Sequence, residues 1–174
     1  MTDWKKIRAF TFDIDGVLTD GTLLAVGEGE YVRRFNVKDN FAIRAALMYG
    51  YKIGVFTGGF GEGITDRMRT ASVPEEDVYM RCRGKIKIWE GFCAKHGLKP
   101  EEVLYIGDDI PDLQIMRVAG IGAAPADAAV DVLEEADYVC ETAGGQGCMR
   151  ELVEKVLRAS GKWNFPDEVF EKIF

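Results

Sequence analysis

Short apolar runs alternate along this chain with longer stretches in which apolar residues recur every three or four positions. Ile7 to Phe12 is a short apolar run flanked by polar residues, and it reads as a buried strand that Asp13-Ile14-Asp15-Gly16 ends abruptly. Leu18 to Phe35 holds two strand-like runs around Val26-Gly27-Glu28-Gly29-Glu30, which is hairpin punctuation. Phe41 to Met48 has helical spacing, with Gly50 where a C-terminal cap belongs. Tyr51 to Phe56 is a second core strand, ending in Thr57-Gly58-Gly59, and a helix is expected from about Ile64 to Ala71. Val78 to Met80 reads as a short strand. Lys85 to His96 is amphipathic, with Ile86, Ile88, Trp89, Phe92 and Cys93 to one side and Gly97 as its stop. Pro100 can open a helical turn. Val103 to Ile106 is a third core strand, ending in Gly107-Asp108-Asp109. There follow a helix (Asp112 to Val118), a strand (Ile121 to Ala124), a helix (Ala128 to Glu135), a strand (Tyr138 to Cys140) and a helix from about Met149 to Ala159. An aromatic tail, about 161–174, carries Trp163, Phe165, Phe170 and Phe174.

Strands alternating with helices predict a doubly wound α/β domain with a mainly parallel sheet covered on both faces. The expectation is one domain over residues 1–174, with the hairpin as an insert at about 18–35. A chain of 174 residues suits one domain with a real core, and 47% hydrophobic with 29% charged residues is ordinary for a soluble globular protein. No uninterrupted apolar run approaches the roughly 18 residues of a membrane span. Met1-Thr2-Asp3-Trp4-Lys5-Lys6 lacks the apolar segment of a signal peptide, so a cytoplasmic location is expected. The net charge of -7 argues against nucleic acid and acidic membranes as partners. The four cysteines form no Cys-x-x-Cys pair and there is one histidine, so a zinc site is not expected and the thiols read as reduced and structural.

In open α/β sheets, ligands bind beyond the carboxyl ends of the strands. Three such ends here carry Asp13-x-Asp15-Gly16, Thr57-Gly58, and Asp108-Asp109 with Asp112 after it. Carboxylates crowded into one volume repel, and a divalent cation removes the conflict. Hard oxygen donors suit Mg²⁺, which also takes waters and a substrate phosphate. Asp13 can then attack phosphorus to form an aspartyl-phosphate, and Asp15 can protonate the leaving alcohol and later deprotonate water. Thr57 offers a hydroxyl, and the amides of Gly58 and Gly59 can approach a phosphate closely. Lys85 stands at a helix start, where a cation is electrostatically out of place unless an anion lies nearby. Each feature alone is weak: Asp-x-Asp is common in loops, and Asp108-Asp109 could be a helix cap. Their order, each set after a core strand, is what points to phosphoryl transfer. Two nucleotide motifs fail: Gly58 to Gly63 has Walker-like glycine spacing but is followed by Ile64-Thr65, and no glycine loop follows the first strand.

Asp13-Ile14-Asp15-Gly16-Val17, Thr57-Gly58, Lys85 and Gly107-Asp108-Asp109-x-x-Asp112 together resemble the four motifs of the haloacid dehalogenase superfamily of phosphatases. The resemblance implies that fold, with Asp13 as nucleophile and Asp15 as acid/base. Mg²⁺ would be held by Asp13, Asp108 and the backbone carbonyl of Asp15, with Asp109 and Asp112 behind. About 40 residues separate Asp15 from Thr57 and 27 separate Thr57 from Lys85, too few for a cap domain beside the core elements. This resembles the capless branch, best known for phosphatases of 3-deoxy-D-manno-octulosonate (KDO) 8-phosphate, in lipopolysaccharide precursor synthesis. Gly16-Val17-Leu18-Thr19-Asp20-Gly21, Phe35-Asn36-Val37-Lys38-Asp39 and Gly144-Gly145-x-Gly147-x-x-Arg150-Glu151 match that group further, from about residue 7 to 163.

The resemblance implies a sugar-acid phosphate as substrate and a homotetramer in which the hairpin walls a neighbour's site. Leu23, Leu24, Val26, Tyr31, Val32 and Phe35 are too apolar for a free hairpin, and cover either an interface or the chain's own core. Trp163, Phe165 and Phe170 either pack on the domain or, like the group's tails, lie over an adjacent site. Arg67, Arg69 and Arg150 are candidates to grip a substrate carboxylate, Arg69 being also placed for a solvated face. The sequence departs from the group in having Gly59-Phe60 where an arginine often follows Thr-Gly, and Asn40 in place of a common glycine after Asp39. These changes leave open a nine-carbon keto-deoxy sugar acid phosphate as substrate. The competing classes are a non-catalytic oligomerisation domain and a phospho-accepting receiver domain, whose acceptor would follow a middle strand.

Overall fold

Four-residue strands without a polar face can exist only where both faces of a sheet are covered. Ala9–Phe12 (β1) and Val103–Ile106 (β6) are buried at every position. They lie side by side at the centre of a six-stranded, all-parallel sheet. The computed structural model of the chain describes residues 3–27 and 29–173. Glu28 of the hairpin punctuation, Phe174 of the tail and Met1-Thr2 at the start lie outside the described residues.

The remaining strands are Leu24–Gly27 (β2), Glu30–Val32 (β3), Lys52–Phe56 (β4), Val78–Tyr79 (β5), Ile121–Ala124 (β7) and Tyr138–Val139 (β8). The sheet order is β5-β4-β1-β6-β7-β8, and β2 and β3 pair apart from it as an antiparallel hairpin. The helices are Val37–Met48 (α1), Glu62–Thr70 (α2), Lys85–His96 (α3), Leu113–Met116 (α4), Val130–Glu135 (α5), Cys148–Ala159 (α6) and Asp167–Ile173 (α7).

Side chains alternate across each strand, so β1 feeds two cores. Phe10 and Phe12 join Ile43, Ile64, Met68, Leu152 and Val156 under α1, α2 and α6. Ala9 joins Trp89, Phe92, Tyr105 and Ile115 under α3 and α4. Thr11 is the polar exception: its hydroxyl donates to the Leu104 carbonyl (2.9 Å) and accepts from the Trp89 indole (3.1 Å), so a buried hydroxyl is fully paired. The doubly wound, mainly parallel α/β expectation describes this architecture.

The differences are local. The α1 helix begins at Val37, a turn before Phe41, because Asn36 caps it by accepting from the Lys38 N–H (2.9 Å). The helix expected from Asp112 to Val118 is a 3-10 turn, Ile110–Asp112, followed by one α turn, Leu113–Met116. Within the aromatic tail, Asp167–Ile173 forms a helix, α7. Trp163 and Phe165 pack against Phe41 of α1, with ring centroids 6.4 and 5.4 Å away, so this part of the tail lies on its own domain. The hairpin does not cover its own core: Leu24, Val26 and Val32 are more than half exposed, and Phe35 alone of the six apolar residues packs on the core.

Candidate active site

Parallel register brings the three strand ends together. Phe12 of β1 lies opposite Val55 of β4 and Ile106 of β6, so Asp13, Thr57 and Asp108 emerge around one point. The residue after Asp15 must be glycine: Gly16 has φ +88°, and a Cβ there would lie 2.0 Å from an Asp108 carboxylate oxygen. Lack of a side chain at Gly16 is what lets the first and third carboxylate loops touch.

Asp13, Asp108 and Asp112 each offer a carboxylate oxygen within 4.8 Å of the others. Asp13 accepts the Ile14 N–H on one oxygen and the Lys85 ammonium on the other, both at 2.7 Å. Lys85 also donates to Asp112 at 2.7 Å. This resolves the cation at the start of α3, since two carboxylates face that helix end. Burial alone would lower the Lys85 pKa, but Asp13 and Asp112 outweigh it and hold the ammonium above its usual range. Asp112 is fully buried and accepts further from the Tyr105 hydroxyl (2.5 Å) and the Asp108 N–H (3.2 Å). With its oxygens so occupied, Asp112 holds Lys85 and the 107–112 loop in place. Asp109 is exposed and caps the following turn through the Ile110 N–H (2.8 Å).

Burial, with repulsion from Asp112, pushes the Asp13 carboxyl up to about 6 despite Lys85. Burial and the charges of Asp112 and Asp13 push Asp108 up to about 7. Two carboxylates so destabilised as anions, with all-oxygen donors, could hold a hard divalent cation. Thr57 is buried at the end of β4, and its hydroxyl accepts the Gly59 N–H (2.9 Å), which shapes the Thr57-Gly58-Gly59 turn. Gly144 and Gly145 serve closeness rather than chemistry: a Cβ at Gly144 would lie 2.0 Å from the Gly16 carbonyl, so this loop braces the Asp15 turn.

The structure does not bring Arg67 or Arg150 to this cluster. Arg67 donates to the Asn36 carbonyl (2.7 Å) and lies over Phe35. Arg150 pairs with Glu154 (3.1 Å) and packs over Phe41 and Trp163. Both guanidinium groups already have local partners that join α1, α2, α6 and the tail, a placement that sequence spacing could not reveal. Arg69 pairs with Asp66 on an exposed face.

Arg33 is the residue that sequence reasoning missed. It leaves β3 and reaches both oxygens of Asp15, at 2.7 and 2.9 Å. An Arg-Arg pair at the end of a hairpin whose strands carry Leu24, Val26, Tyr31 and Val32 is the available signal. Tyr105, the lone hydroxyl in an aliphatic strand, was another.

The haloacid dehalogenase-like hydrolase family model matches residues 83–152, the part of the chain that carries Lys85, Asp108 and Asp112. The 3-deoxy-D-manno-octulosonate 8-phosphate phosphatase KdsC of Salmonella typhi is 35% identical over 93% of this chain and 85% of its own length. The crystal structure of the Yersinia pestis phosphatase of that name superposes with a TM-score of 0.88, at 32% identity, covering 91% of this chain and 85% of that one. The Moraxella catarrhalis phosphatase, solved in complex with magnesium, phosphate and KDO, gives a TM-score of 0.85 at 29% identity, covering 90% of this chain and 88% of that one. Similarity of this extent, over a sheet that gathers three motifs at its strand ends with Lys85 of α3 set against them, makes the chain a member of the haloacid dehalogenase-like hydrolases and, within them, of the KDO 8-phosphate phosphatase family.

Proposed function

We propose that this protein is a Mg²⁺-dependent phosphomonoesterase that hydrolyses KDO 8-phosphate to KDO and phosphate. The observation that carries the chemistry is the Lys85 bridge between Asp13 and Asp112 beside Asp108, at the open ends of β1 and β6. The eight-carbon sugar acid comes from the relatives, by name and by the KDO bound in one of them.

Asp13 and Asp108, with the carbonyl of Asp15, would hold the metal, which supplies charge neutralisation to a phosphoryl group in flight. Asp13 attacks phosphorus through a carboxylate oxygen and breaks the bond to the sugar oxygen, while Asp15 gives that oxygen its proton. Water then displaces Asp13 from phosphorus and leaves a proton on Asp15. Thr57 and the amide of Gly58 receive the phosphoryl oxygens, the Gly59 amide joining them only by leaving the Thr57 hydroxyl, and Lys85 keeps Asp13 oriented and offsets its charge. A non-catalytic role would leave this buried charge cluster without a reason.

The exposed hairpin residues Leu23, Leu24, Val26, Tyr31 and Val32 support assembly with copies of this chain, as a homotetramer. The enzyme would act in the cytoplasm. Among the described residues no helix is long and apolar enough to cross a membrane, and all four cysteines are free thiols.

The test is a kcat/KM panel of phosphorylated sugar acids, with and without Mg²⁺, beside a solution mass. KDO 8-phosphate should lead, with release that needs the metal. A nine-carbon keto-deoxy 9-phosphate turned over faster would move the assignment to that substrate, and no metal-dependent release from any ester would end the proposal.

A further inference from the structure

Among the described residues, Arg33 alone grips both oxygens of the Asp15 carboxylate. The hairpin is exposed along both strands, with Tyr31 42% and Val32 52% accessible, yet the Arg33 side chain is only 5% accessible. It turns inward and sets a planar fork on the carboxylate, Nε to Oδ1 at 2.7 Å and Nη2 to Oδ2 at 2.9 Å. Its remaining nitrogen donates to the Phe60 carbonyl at 3.4 Å, which ties the same guanidinium to the loop after Thr57. The Thr19 hydroxyl gives Asp15 a long 3.5 Å contact. Space for the fork comes from Gly59: a Cβ there would lie 2.7 Å from Arg33 Nη2 and 3.0 Å from Asp15 Oδ2.

We propose that Arg33 is a positioning residue, which aims the acid/base carboxylate of Asp15 at the leaving oxygen and so makes the hairpin part of the catalytic apparatus. The inference rests on the phosphatase reading above. A carboxylate held by one hydroxyl contact can rotate about both of its side-chain torsions, whereas two parallel N–H donors in a rigid plane fix its position and its plane together. Arg33 therefore holds the carboxylate in one place and one plane, both to face the sugar oxygen as it leaves and to face the attacking water. Lysine would keep the charge and lose the plane.

The readout is leaving-group dependence, measured on the full-length chain with saturating Mg²⁺. An alkyl phosphate such as KDO 8-phosphate needs its oxygen protonated as it leaves; p-nitrophenyl phosphate releases a stable phenolate and does not. General acid catalysis contributes about 10²–10⁴-fold, so Arg33→Met should lower kcat/KM for the sugar phosphate at least about 30-fold and for the aryl phosphate less than about 3-fold. With the aryl ester the variant should accumulate acid-trapped phosphoenzyme, because the water step also depends on Asp15. Arg33→Lys should recover only a small part of the loss on the sugar phosphate. Arg33→Gln, neutral but hydrogen-bonding, gives a second route to the same comparison if the Met variant folds poorly. Equal losses on the two esters, or none on either, would overturn the proposal. A wild-type protein inactive on both esters would instead bring down the phosphatase reading beneath it.

Discussion

Two aspartates, half-buried Asp13 at the end of β1 and buried Asp39 in the first turn of α1, have carboxyls pushed up to about 6. Burial is the leading cause in both. The surroundings differ. Asp13 has Asp112 repelling it and Lys85 holding it, beside a third acid at the strand ends. Asp39 accepts one backbone N–H, from Arg150 at 2.7 Å, feels the charges of Arg67 and Arg150, and has its second oxygen without a hydrogen-bond partner. It stitches α1 to α6 beneath the surface. A perturbed carboxyl is thus no mark of chemistry by itself. What distinguishes Asp13 is that several ionisable groups of both signs converge on it, at an end of the sheet that stays reachable.

The sharpest way to break this contrast is to remove the Asp13 nucleophile while keeping its shape. Asp13→Asn should reduce kcat by about 10⁴-fold or more with at most a small loss of Tm: the amide oxygen replaces only one of the two acceptors that Asp13 offers to the Ile14 N–H and Lys85, but Lys85 keeps Asp112. Activity above about 1% of wild type would remove Asp13 from the nucleophile's role. Next in size, Lys85→Met should cost about 10²–10³-fold in kcat/KM. It should also lower Tm, because it leaves Asp13 and Asp112 facing each other without a counter-ion, and added Mg²⁺ should recover more of the stability than of the rate. A loss of rate with no change in stability would show that the bridge does not hold the cluster together.

The smallest effect on turnover is expected at Asp39. Its folded pKa stands near 6, above the ordinary 3.8, so the folded state keeps this proton longer than the unfolded one. Its contribution to stability is therefore fullest at low pH and declines as pH rises through 6. Asp39→Asn should flatten that decline, raising stability at pH 8 by up to about 3 kcal/mol and by little near pH 4, with kcat/KM within about 3-fold of wild type. Thermal unfolding across pH checks it; a large loss of activity at unchanged Tm would make Asp39 part of the site.

The parts of the site legible in the sequence are those set by local chemistry. Asp-x-Asp-Gly after a strand, a threonine-glycine after the next, and paired acids after a third can be read because each motif is contiguous and each strand is a plain apolar run. Arg33 was not legible because its partner lies on a different element, 18 residues away, and hairpin arginines look like any solvated charge. The surroundings of Arg150 are hidden in the sequence for the same reason: its neighbours Phe41 and Trp163 are remote along the chain, and its guanidinium packs over both. The first turn of α1 was missed although Asn36 offered a cap, since Val37 to Asn40 lack the apolar spacing that marks a helix.

Sequence alone determined the alternation of strands and helices, the all-oxygen donor set and the family, because periodicity and residue chemistry are properties of short segments. Tertiary structure alone decided which acids share Lys85, that Asp112 holds the cluster from behind, that the tail starts out along its own α1, and that a hairpin arginine grips Asp15 over a glycine. Those outcomes depend on distances of a few ångströms between segments far apart in the chain, and such distances exist only once the sheet has set its register and the helices have packed against it.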